Sequence, residues 1–339
     1  MASPSHDLAA ATAPTSQDQK ARGGPSRLAP SRSKGGGSSP SLPRASRARG
    51  KRNDALMATV LIAPAMAAFS LFVLVPAGAG LLLAFFDWNL FGTPEFVGAE
   101  NIFRLFGDDE MWQSLAVTGI FVVLGVAPTT LLGFVLAVVA NSQLPGVAAF
   151  RVFYFAPMIA STAVAAVIWV SLYNGRSGLI NAALGAFGIQ GPNWLSDPTW
   201  ARPALVVILI WNALPLVIIL YLAGLQRVPA DIYSAAALDG VGKWRMIWSM
   251  TWPNVAGTTA LVLILQGIGF VSGTFELALL MTDGGPLRTT QSLALYAYQA
   301  AFTDGDIGYA SALSMFQLFL LGSIVLVVRY LMQKRKESR

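Results

Sequence analysis

The chain has 339 residues, 55% of them hydrophobic and only 12% charged, with no cysteine and a single histidine, His6. Soluble domains carry about a quarter charged residues, so this composition excludes a soluble globular protein, and the missing cysteines exclude disulfides and thiolate metal sites. The net charge of +6 would suit a nucleic-acid binder, but its placement along the chain speaks for a membrane topology signal instead.

Residues 1–54 show no hydrophobic periodicity and are rich in Ser, Pro, Gly and Arg. They are expected to form a disordered, basic cytoplasmic tail. His6 lies in this tail and is expected to have no catalytic or ligand role. The first apolar stretch starts too late and runs too long for a signal peptide. Lys51 and Arg52 could meet anionic lipid, although the plainer reading is a topology signal.

Six apolar segments follow, approximately Leu56–Phe86, Leu115–Ala140, Ala148–Tyr173, Ala204–Leu225, Val255–Met281 and Tyr309–Leu331. Each is long enough to span about 30 Å of hydrocarbon. The fold class is therefore all-α and polytopic, with six transmembrane helices. Pro64, Pro76, Pro128, Pro157 and Pro215 lie inside or at the edge of these segments, which membrane helices tolerate. The domain reading is a tail over 1–54, a transmembrane domain over 55–332 and a cytoplasmic tail over 333–339.

Orientation follows from lysine and arginine. Nineteen fall on one side: ten in the N-terminal tail, Arg151, the trio Arg227, Lys243 and Arg245, and five from Arg329 onward. Four fall on the other: Arg104, Arg176, Arg202 and Arg288. Both termini and the stretch Val228–Pro253 are thus expected in the cytoplasm.

That stretch separates two apolar segments without being one. Pro229 suits a first helical turn, and Asp231 lies near the positive end of that helix dipole. Ser234, Ala235, Ala236 and Ala237 are small enough to let another backbone approach. Gly240 and Gly242 bracket a turn. Lys243 to Trp252 reads as a second short helix stopped by Pro253. Trp244, Trp248 and Trp252 recur every four residues as an aromatic stripe suited to a membrane interface.

Ala235-Ala236, Gly240 four residues on and Pro253 thirteen beyond it resemble the "EAA" loop of binding-protein-dependent ABC importer permeases. Leu225-Gln226-Arg227-Val228-Pro229 and Tyr233 fit the carbohydrate branch, of the maltose-transporter type, which includes sugar and glycerol-3-phosphate permeases. The outer loops extend the resemblance: Phe86–Phe91 with Phe96–Asn101, Gly178–Asn181 with Asn193–Leu195, and Thr282–Pro286 with Tyr296–Ala301 and Gly308–Ala312. It covers residues 56–331. Locally, Asp-Trp-Asn and Asp-Gly-Gly-Pro are also ordinary turn chemistry.

The resemblance implies a type I importer permease fold, with 228–253 as the coupling helix that docks on a cytoplasmic ATPase. Tyr233, Ser234, Ala235, Ala236, Asp239, Gly240, Lys243 and Pro253 are the expected coupling residues. Two departures stand out: Ser234 replaces the family's glutamate, and Met250-Thr251-Trp252 replaces Ile-x-Leu. An amphipathic surface helix is the competing reading of the loop taken alone.

No Gly-x-x-x-x-Gly-Lys-Ser/Thr, Gly-x-Ser-x-Gly or His-Glu-x-x-His pattern occurs in the sequence. No enzymatic activity, metal or cofactor is expected in this chain, and ATP is expected on a partner subunit. Glu276 is the one carboxylate within an expected span, five residues or about 7.5 Å from its outer end, and an intramembrane carboxylate is a functional candidate. The plain alternative is an acceptor that holds the Thr282–Pro286 loop. Asn212, Gln266, Ser272 and Thr274 could bond substrate hydroxyls, and Trp211 and Phe270 could stack on sugar faces. Taken singly, each polar residue reads better as interhelical glue. Gly267, Gly269 and Gly273 would thin the fifth span.

The expected function is thus a permease subunit of an ATP-driven, binding-protein-dependent carbohydrate importer. Its partners would be a second homologous permease, two ATPases, an extracytoplasmic solute-binding protein and membrane lipid, with no nucleic acid. A self-sufficient secondary transporter, which needs coupling-ion sites and usually internal repeats, is the alternative. A membrane scaffold is another.

Overall fold

The computed structural model describes residues 44–89, 92–142 and 154–337. Met1–Pro64 and Ala65–Arg339 form separate compact units, and the packing described below lies within the second. Helix α1 (Arg44–Phe69) runs through a π-helical turn, Ser70–Leu74, into α2 (Val75–Leu83). A short hairpin, β1 (Phe86–Asp87) on β2 (Glu95–Phe96), leads to α3 (Glu100–Phe106) and α4 (Asp109–Ala140). Then come α5 (Thr162–Leu172), α6 (Leu179–Ala186) and α7 (Pro198–Leu225). The Val228–Pro253 stretch holds α8 (Ala230–Leu238), α9 (Lys243–Met246), a second π-helical turn, Ile247–Thr251, and α10 (Trp252–Asn254). The chain continues through α11 (Ala256–Met281), α12 (Leu293–Phe302) and α13 (Ile307–Glu337).

Among the described residues five helices are long and apolar enough to cross a membrane: Met57–Leu83, Asp109–Ala140, Pro198–Leu225, Ala256–Met281 and Ile307–Tyr330. The expected third span, Ala148–Tyr173, is not one continuous helix over its described part. Residues 154–159 are helical, the helix breaks at Ala160, and α5 restarts behind Ser161. Ser161 is extended, and its hydroxyl accepts from the Val164 N–H. A serine that caps a new helix competes with continuing the old one.

Helix α4 packs along α7, and α11 lies against both. Lipid tails offer no hydrophobic drive for helix association, so close approach through small residues takes its place. The Phe270 ring of α11 fills the space over Gly125 of α4, where a Cβ would lie 1.8 Å from a ring carbon. Val217 of α7 similarly occupies the space over Gly133. Phe121, Leu205, Ile208, Phe270 and Leu277 form one buried cluster, and Phe134, Val217, Ile218, Tyr221 and Val262 form another further along the same helices. A third cluster joins Ala84, Leu105, Met111, Leu293, Tyr309 and Leu313, where α13 packs on α2, α3 and α12.

The second short helix ends at Asn254, one residue past Pro253, and Val255 leaves helical backbone at φ −96° and ψ 15° before α11 begins. Both π-helical turns stop two residues before a proline, Leu74 before Pro76 and Thr251 before Pro253. In each, the residue before the proline donates five residues back, Val75 to Ser70 and Trp252 to Ile247. A proline ring normally clashes with the carbonyl four residues earlier and leaves it unpaired. The wider π turn realigns the carbonyls ahead of the ring, so that each proline is accommodated in helical backbone.

Candidate functional site

The Val228–Pro253 loop is built from local chemistry upward. Pro229, extended at ψ 134°, precedes α8. The helix ends at Gly240, whose φ of +68° lies in the left-handed region. The Val241 N–H reaches back to the Ala236 carbonyl at 3.0 Å and the Gly240 N–H to that of Ala237 at 3.2 Å. This pair of bonds closes a helix end around a left-handed residue, and only glycine adopts that conformation without a Cβ penalty. A Cβ on Gly240 would meet nothing within 4 Å, so the space beyond it is open. Gly242 then starts α9 in extended conformation.

The aromatic stripe becomes a column. Trp244 and Trp248 rings lie 5.7 Å apart, as do Trp248 and Trp252. Trp252 stands edge-on to Phe134 of α4 at 4.6 Å and stacks on Tyr221 of α7 at 6.4 Å. Trp244 is 73% exposed and Leu238 90% exposed. The loop thus shows apolar tips at one end and is rooted in the α4–α7 core at the other.

The expected coupling residues divide by position. Ser234, Ala235, Asp239, Gly240 and Lys243 are exposed, and Pro253 is exposed near the base of the column. Ala236 is 2% exposed, turned into the chain itself. Tyr233 is half-buried. Ser234 donates its hydroxyl to the Ala230 carbonyl at 3.2 Å, within its own helix.

The expected path residues also split. Gln266, Phe270 and Thr274 are buried on one face of α11, and the Thr274 hydroxyl donates to the Phe270 carbonyl at 2.6 Å. Phe270 packs over Gly125 of α4 and in the cluster with Leu205 and Ile208 of α7. Ser272 and Glu276 lie on the opposite, exposed face, in a stripe with Leu261, Leu265, Ile268, Gly269 and Leu280. Trp211 and Asn212 are half-buried on α7, and Trp211 packs edge-on to Trp169 at 5.7 Å. The structure therefore does not gather the seven into one pocket. Glu276 makes no bond to the Thr282–Pro286 loop. Thr282 and Thr290 hold that loop by a mutual hydroxyl bond of 2.7 Å and a bond from Thr290 to the Gly285 carbonyl at 2.8 Å.

Comparison with known proteins decides the family. Residues 129–338 match the binding-protein-dependent transport system inner membrane component family. The chain belongs to that family. This permease is 33% identical over 286 residues to the probable ABC transporter permease protein YesP of Bacillus subtilis, covering 83% of this chain and 92% of that one. It is 31% identical to the sulfoquinovosyl glycerol transport system permease protein SmoG of Agrobacterium fabrum, over 81% of this chain and 89% of that one. It is 31% identical to the trehalose/maltose transport system permease protein MalF of Thermococcus litoralis, over 82% and 94%. In fold it matches a chain of a bacterial alginate ABC transporter, solved in complex with alginate pentasaccharide-bound periplasmic protein. That match has a TM-score of 0.73 at 22% identity and covers 84% of this chain and 96% of that chain.

The permease carries one polar constellation that the sequence reading missed, at the end of α4 opposite the loop. The Asp108 side chain caps α4 by accepting from the Glu110 N–H at 2.9 Å. Its other oxygen accepts from the Tyr296 hydroxyl of α12 at 2.7 Å and from the Tyr309 hydroxyl of α13. Burial alone would raise this carboxyl, but the bonds from Tyr309, Tyr296 and two backbone N–H groups hold it below its usual range. Burial pushes the Tyr296 hydroxyl up, and its bond to Asp108 pushes it further. Arg104 pairs with Asp306 at 2.6 Å and lies over the Tyr309 ring at 3.9 Å. Glu110 pairs with Arg288 and accepts from Gln291, which also donates to Gln299 at 2.7 Å. In the sequence, Asp108, Asp109 and Glu110 stand out only as a short acidic run.

The loop motifs behind the resemblance have structural work there too. Asn101 donates to the Ala84 and Phe86 carbonyls at 3.2 and 2.9 Å, and Gly308 leaves room for Phe86, whose oxygen would lie 2.0 Å from a Cβ. Asn181 donates to Gly175 and Pro192 and accepts from the Trp194 indole at 2.7 Å. Leu90 and Phe91 lie outside the described residues.

Proposed function

We propose that this permease is one membrane subunit of an ATP-driven importer of a carbohydrate, whether sugar, oligosaccharide or related polyol compound. It would act in the cytoplasmic membrane of a bacterium or archaeon, with both termini and the 228–253 loop inside. A second homologous permease, two ATPase subunits and an extracytoplasmic solute-binding protein would complete the assembly. The names of the relatives support the substrate class. The lysine and arginine distribution supports the orientation.

The observation that carries this reading is the loop itself: an exposed short helix, closed by a left-handed glycine with open space beyond, rooted by tryptophans in the bundle core. Such a part transmits force. A displacement imposed on α8 by an ATPase would pass through Trp248 and Trp252 to Phe134 and Tyr221, and so to α4 and α7. That rocking would open the bundle alternately to either side. With Ser234 bonded to its own helix, docking would rest on packing by small residues and on Leu238 and Trp244, without an ion pair at position 234. Ser272 and Glu276, on the open face of α11, are the path residues placed to meet a second subunit and the substrate between them. A charge there is costly against lipid, about 2.5–3.5 kcal/mol or more at a helix centre, so that face is expected to meet protein or water.

Co-purification tests the reading. An ATPase subunit should be retained stoichiometrically by the assembled permease, and a reporter fused at Gly242 should read cytoplasmic while fusions at Asp108 and Asp304 read extracytoplasmic. Uptake by the permease with no ATPase present would instead establish a secondary transporter.

A further inference from the structure

A cleft of about 240 Å³ opens beside the loop, lined by Val138, Asn141, Leu225, Tyr233, Lys243, Met246, Ile247 and Thr251. Val138 is in the last turn of α4, Leu225 is the last residue of α7, and Thr251 precedes α10 and α11. The cleft therefore lies where membrane spans end, at the depth of lipid headgroups. Its floor is apolar, from Val138, Leu225, Met246 and Ile247. Its lining also includes Asn141 and Lys243, both exposed, and the half-buried Tyr233. Among the described residues none of these three side chains has a hydrogen-bond or ion-pair partner in the chain. The Thr251 hydroxyl is already used, donating to the Met246 carbonyl at 3.3 Å.

We propose that this cleft binds one anionic glycerophospholipid of the surrounding bilayer, phosphate on Lys243, Tyr233 and Asn141 and the start of an acyl chain on the apolar floor. Three polar side chains without a partner among the described residues, one of them cationic, line one mainly apolar cleft, which suits a phosphate diester with an acyl chain. A zwitterionic headgroup would bring its own cation against Lys243. Free inorganic phosphate would leave the apolar floor uncovered. The bound lipid would wedge α8 and α9 against α4 and α7, fixing the posture of the loop whose exposed side carries Gly240. The inference does not rest on the coupling reading, because the site is defined by the cleft alone.

Native mass spectrometry of the full chain tests it. The protein would be released from nanodiscs holding equal amounts of phosphatidylglycerol and phosphatidylcholine with the same acyl chains. One phosphatidylglycerol should be retained in preference to phosphatidylcholine. Lys243→Gln should lower that retention about fivefold, the worth of one lysine near an anionic surface, and Lys243→Arg should keep it. Val138→Trp, which fills the floor, should abolish it even where Lys243 is intact. Millimolar inorganic phosphate should not displace the lipid. Equal retention of the two lipids, unchanged retention in Lys243→Gln and Val138→Trp, or displacement by phosphate would each overturn the proposal. A monodisperse Lys243→Arg protein guards against misfolding. The readout uses neither ATPase nor transport, so its failure and that of the importer reading are separable.

Discussion

The two ends of this helical bundle are finished in opposite ways. At the N-terminal end of α4, carboxylates, tyrosines and arginines from α3, α4, α12 and α13 satisfy one another, with Asp108 accepting from two tyrosines at once. At the other end, α8 and the tip of the tryptophan column project with Leu238 and Trp244 exposed and the space over Gly240 open. One face is complete within the chain. The other presents Leu238 and Trp244 as exposed apolar side chains among the described residues. Under the proposed function that surface meets the ATPase, and a preformed surface loses little ordering entropy on binding.

Breaking the open face should have the largest effect, and that effect should appear in assembly more than in stability. Gly240→Leu meets no atom of this chain, so the isolated permease should lose only the left-handed cost of about 1–2 kcal/mol. Against an ATPase the added side chain would be overpacked by about 1–3 kcal/mol. Roughly a tenfold or greater loss of ATPase retention and of uptake in vesicles is expected. Gly240→Asn, which tolerates a positive φ, should lose much less. Full retention and uptake for Gly240→Leu would make the loop a mere surface helix.

Breaking the closed face should do the reverse. Asp108→Ala leaves the buried Tyr309 hydroxyl without its acceptor, and a bond to a charged group is worth about 1.5–3 kcal/mol. The thermal midpoint of the solubilised permease should fall accordingly, while reporter topology at Gly242 is unchanged. An unshifted midpoint would mean that the tyrosines find other acceptors.

Glu276 belongs to neither face and sharpens the contrast. Being exposed and unpaired among the described residues, it should be replaceable by Gln with no change in thermal midpoint, whereas uptake should slow several-fold. Normal uptake would show that its charge is dispensable.

Smaller effects should follow at the edge of the closed face. The Arg104–Asp306 pair is part-exposed, with Arg104 55% accessible, so Arg104→Ala should cost at most about 1 kcal/mol. A larger loss would point to the packing of Arg104 over Tyr309. In acid, Asp108 should reveal itself. Its folded carboxyl lies below the ordinary 3.8, so its contribution is complete above that value. It is lost as pH falls through the depressed folded value. Stability measured below pH 3.8 should therefore drop less steeply in Asp108→Asn than in the parent.

Sequence alone determined the membrane class, the order of apolar segments, the resemblance carried by the 228–253 loop and the left-handed turn at Gly240. These follow from composition and from local rules that act within a few residues. Tertiary structure decided the rest. Helical periodicity puts Gln266, Phe270 and Thr274 on one face of α11 and Ser272 and Glu276 on the other, but only packing against α4 and α7 tells which face is interior. The tryptophan stripe was legible as spacing, yet its anchoring on Phe134 required helices that meet across more than a hundred residues. Asp108 finds its tyrosines 188 and 201 positions away, a pairing no local pattern encodes. At Pro253 the local rule that stops a helix at proline came within a residue of the observed end at Asn254, but it did not show the π-helical turn Ile247–Thr251 that precedes the ring.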